Sequence, residues 1–136
     1  MTAILKTRSK WLTYAMYVLM AFLSAAMFLF GFMKLTGDEM FWQQFINFGY
    51  SRWFFYLTGL IEVASAILLW PSKTRLVGAG LIVATMLGAA YSNLTAGQED
   101  VYGFISLNIL QGLLAVIIAW MNRYQWPFER LRNRHN

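Results

Sequence analysis

The chain has 136 residues, of which 59% are apolar, 18% aromatic and only 12% charged, with a net charge of +5. A soluble domain carries about 25% charged residues, and a soluble protein this short cannot bury so much apolar surface, so the solvent to expect is lipid. The absence of cysteine excludes disulfides and thiolate chemistry, and the basic residues sit beside apolar runs, which suits anionic headgroups and not nucleic acid.

Residues 1–10 hold Lys6, Arg8 and Lys10 without an acid and read as a basic, frayed tail. The uncharged run 11–33 is long enough to cross ~30 Å of hydrocarbon as a helix. A secretory signal would have an apolar core of only ~7–15 residues, so a retained helix is expected. In the segment 38–49, Asp38-Glu39 opens a helical pattern that Gly49 ends. Phe41, Trp42, Phe45, Ile46 and Phe48 fall on one side of it and Gln43, Gln44 and Asn47 on the other. Such a helix either lies in the interface with its aromatic side down or packs on the mouth of the bundle.

The second run, about 53–70, is interrupted only by Glu62 and closed by Trp70-Pro71, since proline pushes the residue before it out of the helical region. A basic turn at 71–75 leads into the third run, about 75–94, which is rich in small residues. A polar turn, 95–100, precedes the fourth run, about 101–121, and a basic tail, 122–136, follows. The fold expected is an all-α membrane protein, an antiparallel bundle of four transmembrane helices with a short amphipathic helix between the first and second. Nine Lys and Arg fall in 1–10, 71–75 and the tail, against Lys34 and Arg52 on the other side. The positive-inside rule therefore places both termini in the cytoplasm.

Helical projection gives each run an inward face. Thr58, Gly59, Ser65 and Ala66 flank Glu62, and Gly80, Ala84, Gly88, Tyr91 and Thr95 share a small face on the third run. Asn108, Gln111, Gly112, Ala115, Ala119 and Asn122 line the fourth, with Ile109, Leu113, Val116, Ile117 and Trp120 facing lipid. Ser24 falls with Thr13, Tyr17 and Gly31 on the first run.

Glu62 is the only acid within an apolar run, and an intramembrane charge at mid-depth costs at least ~2.5 kcal/mol. It is expected to be a largely neutral carboxyl, hydrogen-bonded to Tyr91, Asn108 or Gln111 across the bundle, as a ligand-binding, proton-titrating or structural group. Lys34 and Arg52 stand at the outer helix ends, where they pair with Asp38 or Glu39, reach toward Glu62, or snorkel to headgroups. No His or Cys lies in the bundle, so neither a haem nor another metal site is expected, and no cofactor; His135 belongs to the tail.

Four stretches together resemble a known family: Gly31-Phe32-Met33-Lys34-Leu35, Gly59-Leu60-Ile61-Glu62, Trp70-Pro71-Ser72-Lys73-Thr74-Arg75-Leu76-Val77-Gly78-Ala79, and Met86-Leu87-Gly88-Ala89. From about residue 15 to 120 the chain is similar to the DoxX-like family of four-helix membrane proteins. The resemblance implies a bundle in the bacterial inner membrane and a link to quinone or redox metabolism. Some relatives carry a histidine or cysteines near the bundle, which this chain lacks. The function expected is that of a non-catalytic accessory or scaffold subunit; the alternative is a carrier or binder of a lipophilic quinone or lipid that uses Glu62. The partners expected are the bilayer, a membrane protein or a second copy of the chain, and a lipophilic small molecule.

Overall fold

The computed structural model describes the backbone of residues 2–96 and 101–133, and the side chains of 10–96 and 102–122. These residues form five helices and no strand: α1 (Thr2–Leu35), α2 (Glu39–Phe48), α3 (Arg52–Leu68), α4 (Arg75–Ala96) and α5 (Val101–Asn133). Among the described residues, three stretches are long and apolar enough to cross a membrane: Lys10–Leu35, Arg75–Ala96 and Tyr102–Asn122. At 17 residues, α3 is only ~25 Å long, shorter than ~30 Å of hydrocarbon.

Two of the long helices outrun their apolar segments. The frayed tail expected at 1–10 is helical from Thr2, and α5 continues through most of the expected tail, to Asn133. Extending an existing helix adds one hydrogen bond per residue fixed, so a change from apolar to charged residues marks a change of surroundings and not the end of a helix. Residues 97–100 of the expected polar turn, and His135, lie outside the described residues.

The core runs along one seam. On α1 it holds Met16, Met20, Leu23 and Met27, at helical spacing, all with no exposed surface. Against them pack Ala66 and Leu69 near the end of α3, Ala79, Ile82 and Met86 of α4, and Ala115, Ile118 and Met121 of α5. Methionine suits such a seam because its unbranched thioether fills irregular gaps. Ser24 is buried on this side of α1, whereas Tyr17 lies at its exposed edge. The expected faces of α5 are those observed: Gln111, Ala115 and Asn122 point inward, and Ile109, Leu113, Val116, Ile117 and Trp120 outward. On α4 the close packing is made by a different face. Its packed face is Arg75, Gly78, Ala79, Ile82, Met86, Ser92 and Asn93, while Gly80, Ala84, Gly88, Tyr91 and Thr95 are exposed. Close approach is needed only where α4 begins, at Gly78, where a Cβ would stand 3.0 Å from Leu68 C and Ser65 O.

The α3–α4 turn is closed by its own polar residues. Pro71 ends α3 and leaves its last carbonyls without helical partners. Thr74 Oγ1 donates to Leu68 O at 2.9 Å, Arg75 Nε to Leu69 O at 2.9 Å and Arg75 Nη2 to Trp70 O at 2.9 Å. Arg75 Nη1 reaches Asn122 Oδ1 of α5 at 2.9 Å, and its guanidinium lies 5.8 Å from the Tyr17 ring centroid. Trp70 Nε1 donates to Ser24 Oγ at 3.2 Å. Arg75 is thus a buried tie between three helices. Lysine cannot reproduce a planar fork of donors, so Arg75→Lys should lose about 1–3 kcal/mol of stability, read as a lower unfolding midpoint in mixed micelles.

Candidate functional site

The site is set by a helix crossing. Gly31 of α1 and Gly59 of α3 face each other so closely that a Cβ on Gly31 would stand 2.7 Å from Gly59 O, and one on Gly59 2.9 Å from Gly31 O. Lys34 lies three residues beyond the first glycine and Glu62 three beyond the second. The Cα–Cβ bond of a helical residue leans toward the helix N-terminus. The Lys34 side chain therefore leans back along α1 as that of Glu62 leans back along α3, and because the two helices run in opposite directions the side chains converge. Lys34 Nζ donates to Glu62 Oε1 at 2.6 Å. Both residues are buried, Glu62 at 2% exposure and Lys34 at 9%.

Of the readings open for Lys34, the reach toward Glu62 is the one observed. Lys34 folds inward, with its ammonium 5.6 and 5.5 Å from the ring centroids of Phe41 and Phe45. Glu62 is hydrogen-bonded to Lys34, where Tyr91, Asn108 or Gln111 was expected. Tyr91, expected beside it, is 68% exposed on the outer side of α4. Arg52 also stays apart: it is exposed, stacks 4.8 Å from the Trp42 ring centroid and donates to Tyr56 Oη at 3.2 Å.

Helix α2 covers this pair. Asp38 caps its start, accepting from Phe41 N at 3.3 Å. Gly49 ends it in the left-handed conformation, φ 80°, which returns Tyr50 N to Phe45 O at 3.0 Å. Its aromatic side packs on the bundle. Phe45 is buried, with ring centroids of Phe55 at 5.0 Å and Tyr50 at 5.9 Å. Of the two placements open from the sequence, α2 takes the mouth of the bundle. Gln44, placed by its pattern on the polar side, turns inward and donates to Asn93 Oδ1 at 3.2 Å. Tyr50 Oη meets Ser92 Oγ at 2.7 Å. These bonds tie α2 and the residues after it to the end of α4.

Between these elements lies a cavity of about 540 Å³. Its wall is largely apolar and aromatic, from Met27 and Phe30 of α1, Phe41, Phe45 and Phe48 of α2, Phe54 and Ile61 of α3, and Phe104 and Leu107 of α5. Lys34, Glu62, Gln44, Asn93, Asn108 and Gln111 supply its polar groups. A concave, mostly apolar site of about 300–1,000 Å³ with a few placed polar groups is the usual form of a small-molecule pocket. Of the sequence candidates, Lys34, Glu62, Asn108 and Gln111 come together here, and Arg52 and Tyr91 do not. Gln44, Ser92 and Asn93 were missed. For Ser92 and Asn93 the signal was the spacing Gly78, Ile82, Met86, Asn93, which continues the packed face of α4 to its end.

The sequence model of the DoxX-like family matches residues 18–119. No curated protein and no solved structure matches the chain. The matched range holds the glycine crossing, the ion pair, the α3–α4 turn and every residue named in the cavity wall.

Proposed function

Since this chain belongs to the DoxX-like family, we propose that it is a four-crossing membrane bundle that binds an apolar, ring-bearing ligand of the quinone–quinol type beside Lys34 and Glu62. The observation that carries this reading is the cavity of about 540 Å³, with its aromatic wall and a buried ion pair in it. Ring faces suit a planar ligand, and a few polar groups in an apolar wall orient its oxygen substituents. The same contacts serve a binder or carrier without any reaction.

Four crossings follow from the charge pattern. Lys6, Arg8 and Lys10 precede the apolar part of α1, and Lys73 and Arg75 lie before or at the start of α4. With both groups on the cytoplasmic side of a bacterial inner membrane, α3 must bring the chain back across, and its short length is made up by the turn after it. An accessory role beside a larger membrane protein is the second reading. It is favoured by Gly80 of α4, which is exposed outside the cavity wall and lets another helix approach closely.

The test is ligand-induced stabilisation of the purified protein. At a hundredfold excess over its dissociation constant, a bound ligand adds about 2.7 kcal/mol. Either 1-naphthol or menadione, as ring-sized probes, should raise the unfolding midpoint accordingly. A Cβ on Gly88, in the cavity wall, would meet nothing within 4 Å. Gly88→Leu should therefore narrow the cavity without backbone strain and weaken the shift. The reading fails if neither probe shifts the wild type, or if Gly88→Leu responds as the wild type does.

A further inference from the structure

Two polar atoms of the cavity residues are buried without a hydrogen-bond partner in the protein: Glu62 Oε2 and Asn108 Nδ2. Both residues belong to the wall of the same cavity. The other carboxylate oxygen of Glu62 is fully engaged with Lys34 at 2.6 Å. Buried polar atoms are nearly always paired, and leaving one unpaired carries its full desolvation cost. The two atoms are chemically opposite. A carboxylate oxygen only accepts a hydrogen bond, and an amide nitrogen only donates one.

We propose that the cavity is built for the hydroxyl form of its ligand, a phenol or quinol, and discriminates against the carbonyl or ether form. The inference rests on the ligand site proposed above. A hydroxyl group is the smallest one that both donates and accepts: its O–H donates to Glu62 Oε2 while its oxygen accepts from Asn108 Nδ2. A quinone carbonyl can answer only Asn108, and it sets its own lone pairs against the carboxylate. A site whose buried polar groups match a hydroxyl rejects the analogue that lacks it, because those groups are then left unpaired. Lys34 keeps Glu62 in place for this role, since its Oε1 contact orients the second oxygen.

The test uses 1-naphthol and 1-methoxynaphthalene, which share a ring system and differ in the donor proton. Affinities are measured in lipid nanodiscs and referred to the probe concentration in the lipid. Hydrogen bonds to a charged group predict that 1-naphthol binds roughly ten- to a hundredfold more tightly than its methyl ether. Asn108→Ala leaves the ion pair untouched and should weaken both probes, since each offers an oxygen to Nδ2, while the gap between them persists. Glu62→Gln should narrow the gap between the two probes. Equal affinities for the two probes on the wild type would overturn the hydroxyl assignment, with water serving the two atoms instead, and would leave the ligand site standing. Binding of neither probe, nor of menadione, would remove the ligand site and the assignment together.

Discussion

Lys34→Met is expected to destabilise the protein by about 3–5 kcal/mol, the cost of leaving one member of a buried pair alone. The residues are 9% and 2% exposed, and among the described residues the 2.6 Å contact is the only hydrogen bond of either charged group, the ammonium otherwise facing the rings of Phe41 and Phe45. Removing the cation leaves Glu62 facing aromatic and aliphatic groups with no compensating charge. Glu62→Gln strands the ammonium in the same way. A double variant, Lys34→Met with Glu62→Leu, removes both charges together, and replacing a buried pair by apolar side chains is often close to neutral. It should therefore be more stable than either single variant. The measurement is a denaturant titration of all four proteins in mixed micelles, read as a double-mutant cycle. Additive losses would mean that the two side chains do not depend on each other.

The second large effect belongs to the crossing beneath the pair. Gly31→Ala places a Cβ 2.7 Å from Gly59 O, 2.8 Å from Val63 Cγ2 and 3.0 Å from Glu62 Cβ. The first of these is backbone and cannot step aside as a side-chain tip can. Overpacking of this kind costs about 1–3 kcal/mol, and Gly31→Leu should exceed that range. Separation of α1 and α3 also pulls Lys34 from Glu62, so these variants should lose probe binding along with stability. The control is Gly80→Ala on α4, where a Cβ meets nothing within 4 Å. It should be neutral or gain up to about 1 kcal/mol from helix propensity. An equal loss at both positions would show that the penalty arises from the helix itself and not from the crossing.

These glycines show what was legible in the sequence and what was not. The inward face of α5 could be read because Asn108, Gln111 and Asn122 contrast with Ile109, Leu113, Val116 and Ile117. No such contrast exists on α4, where small residues occur on several sides, and smallness permits close packing without requiring it. Only the partner helix decides which small residue is the notch, and the partner is not visible from one run. Glu62 stood out because an acid in an apolar run needs a partner. Its partner was among the readings open, and the choice could have been made: Lys34 lies near the C-terminal end of its helix, where side chains lean back into the span and not out of it. Arg75 looked like one more charge in a basic turn, because the carbonyls it satisfies become available only once Pro71 has ended α3. Gln44 was assigned by pattern to the polar side of α2, but the end of α4 brought Asn93 within reach of it.

The spacing of the crossing has an evolutionary consequence. Gly31 and Lys34 stand three residues apart, as do Gly59 and Glu62, so the glycines allow the contact and the charges fix its register. A slip of α1 by one turn along α3 would part the charges and drive larger side chains into the notch. Selection should therefore see these four positions as a single heritable unit. Lineages that lose the lysine should lose the glutamate with it, and those that widen one glycine should abandon the whole set.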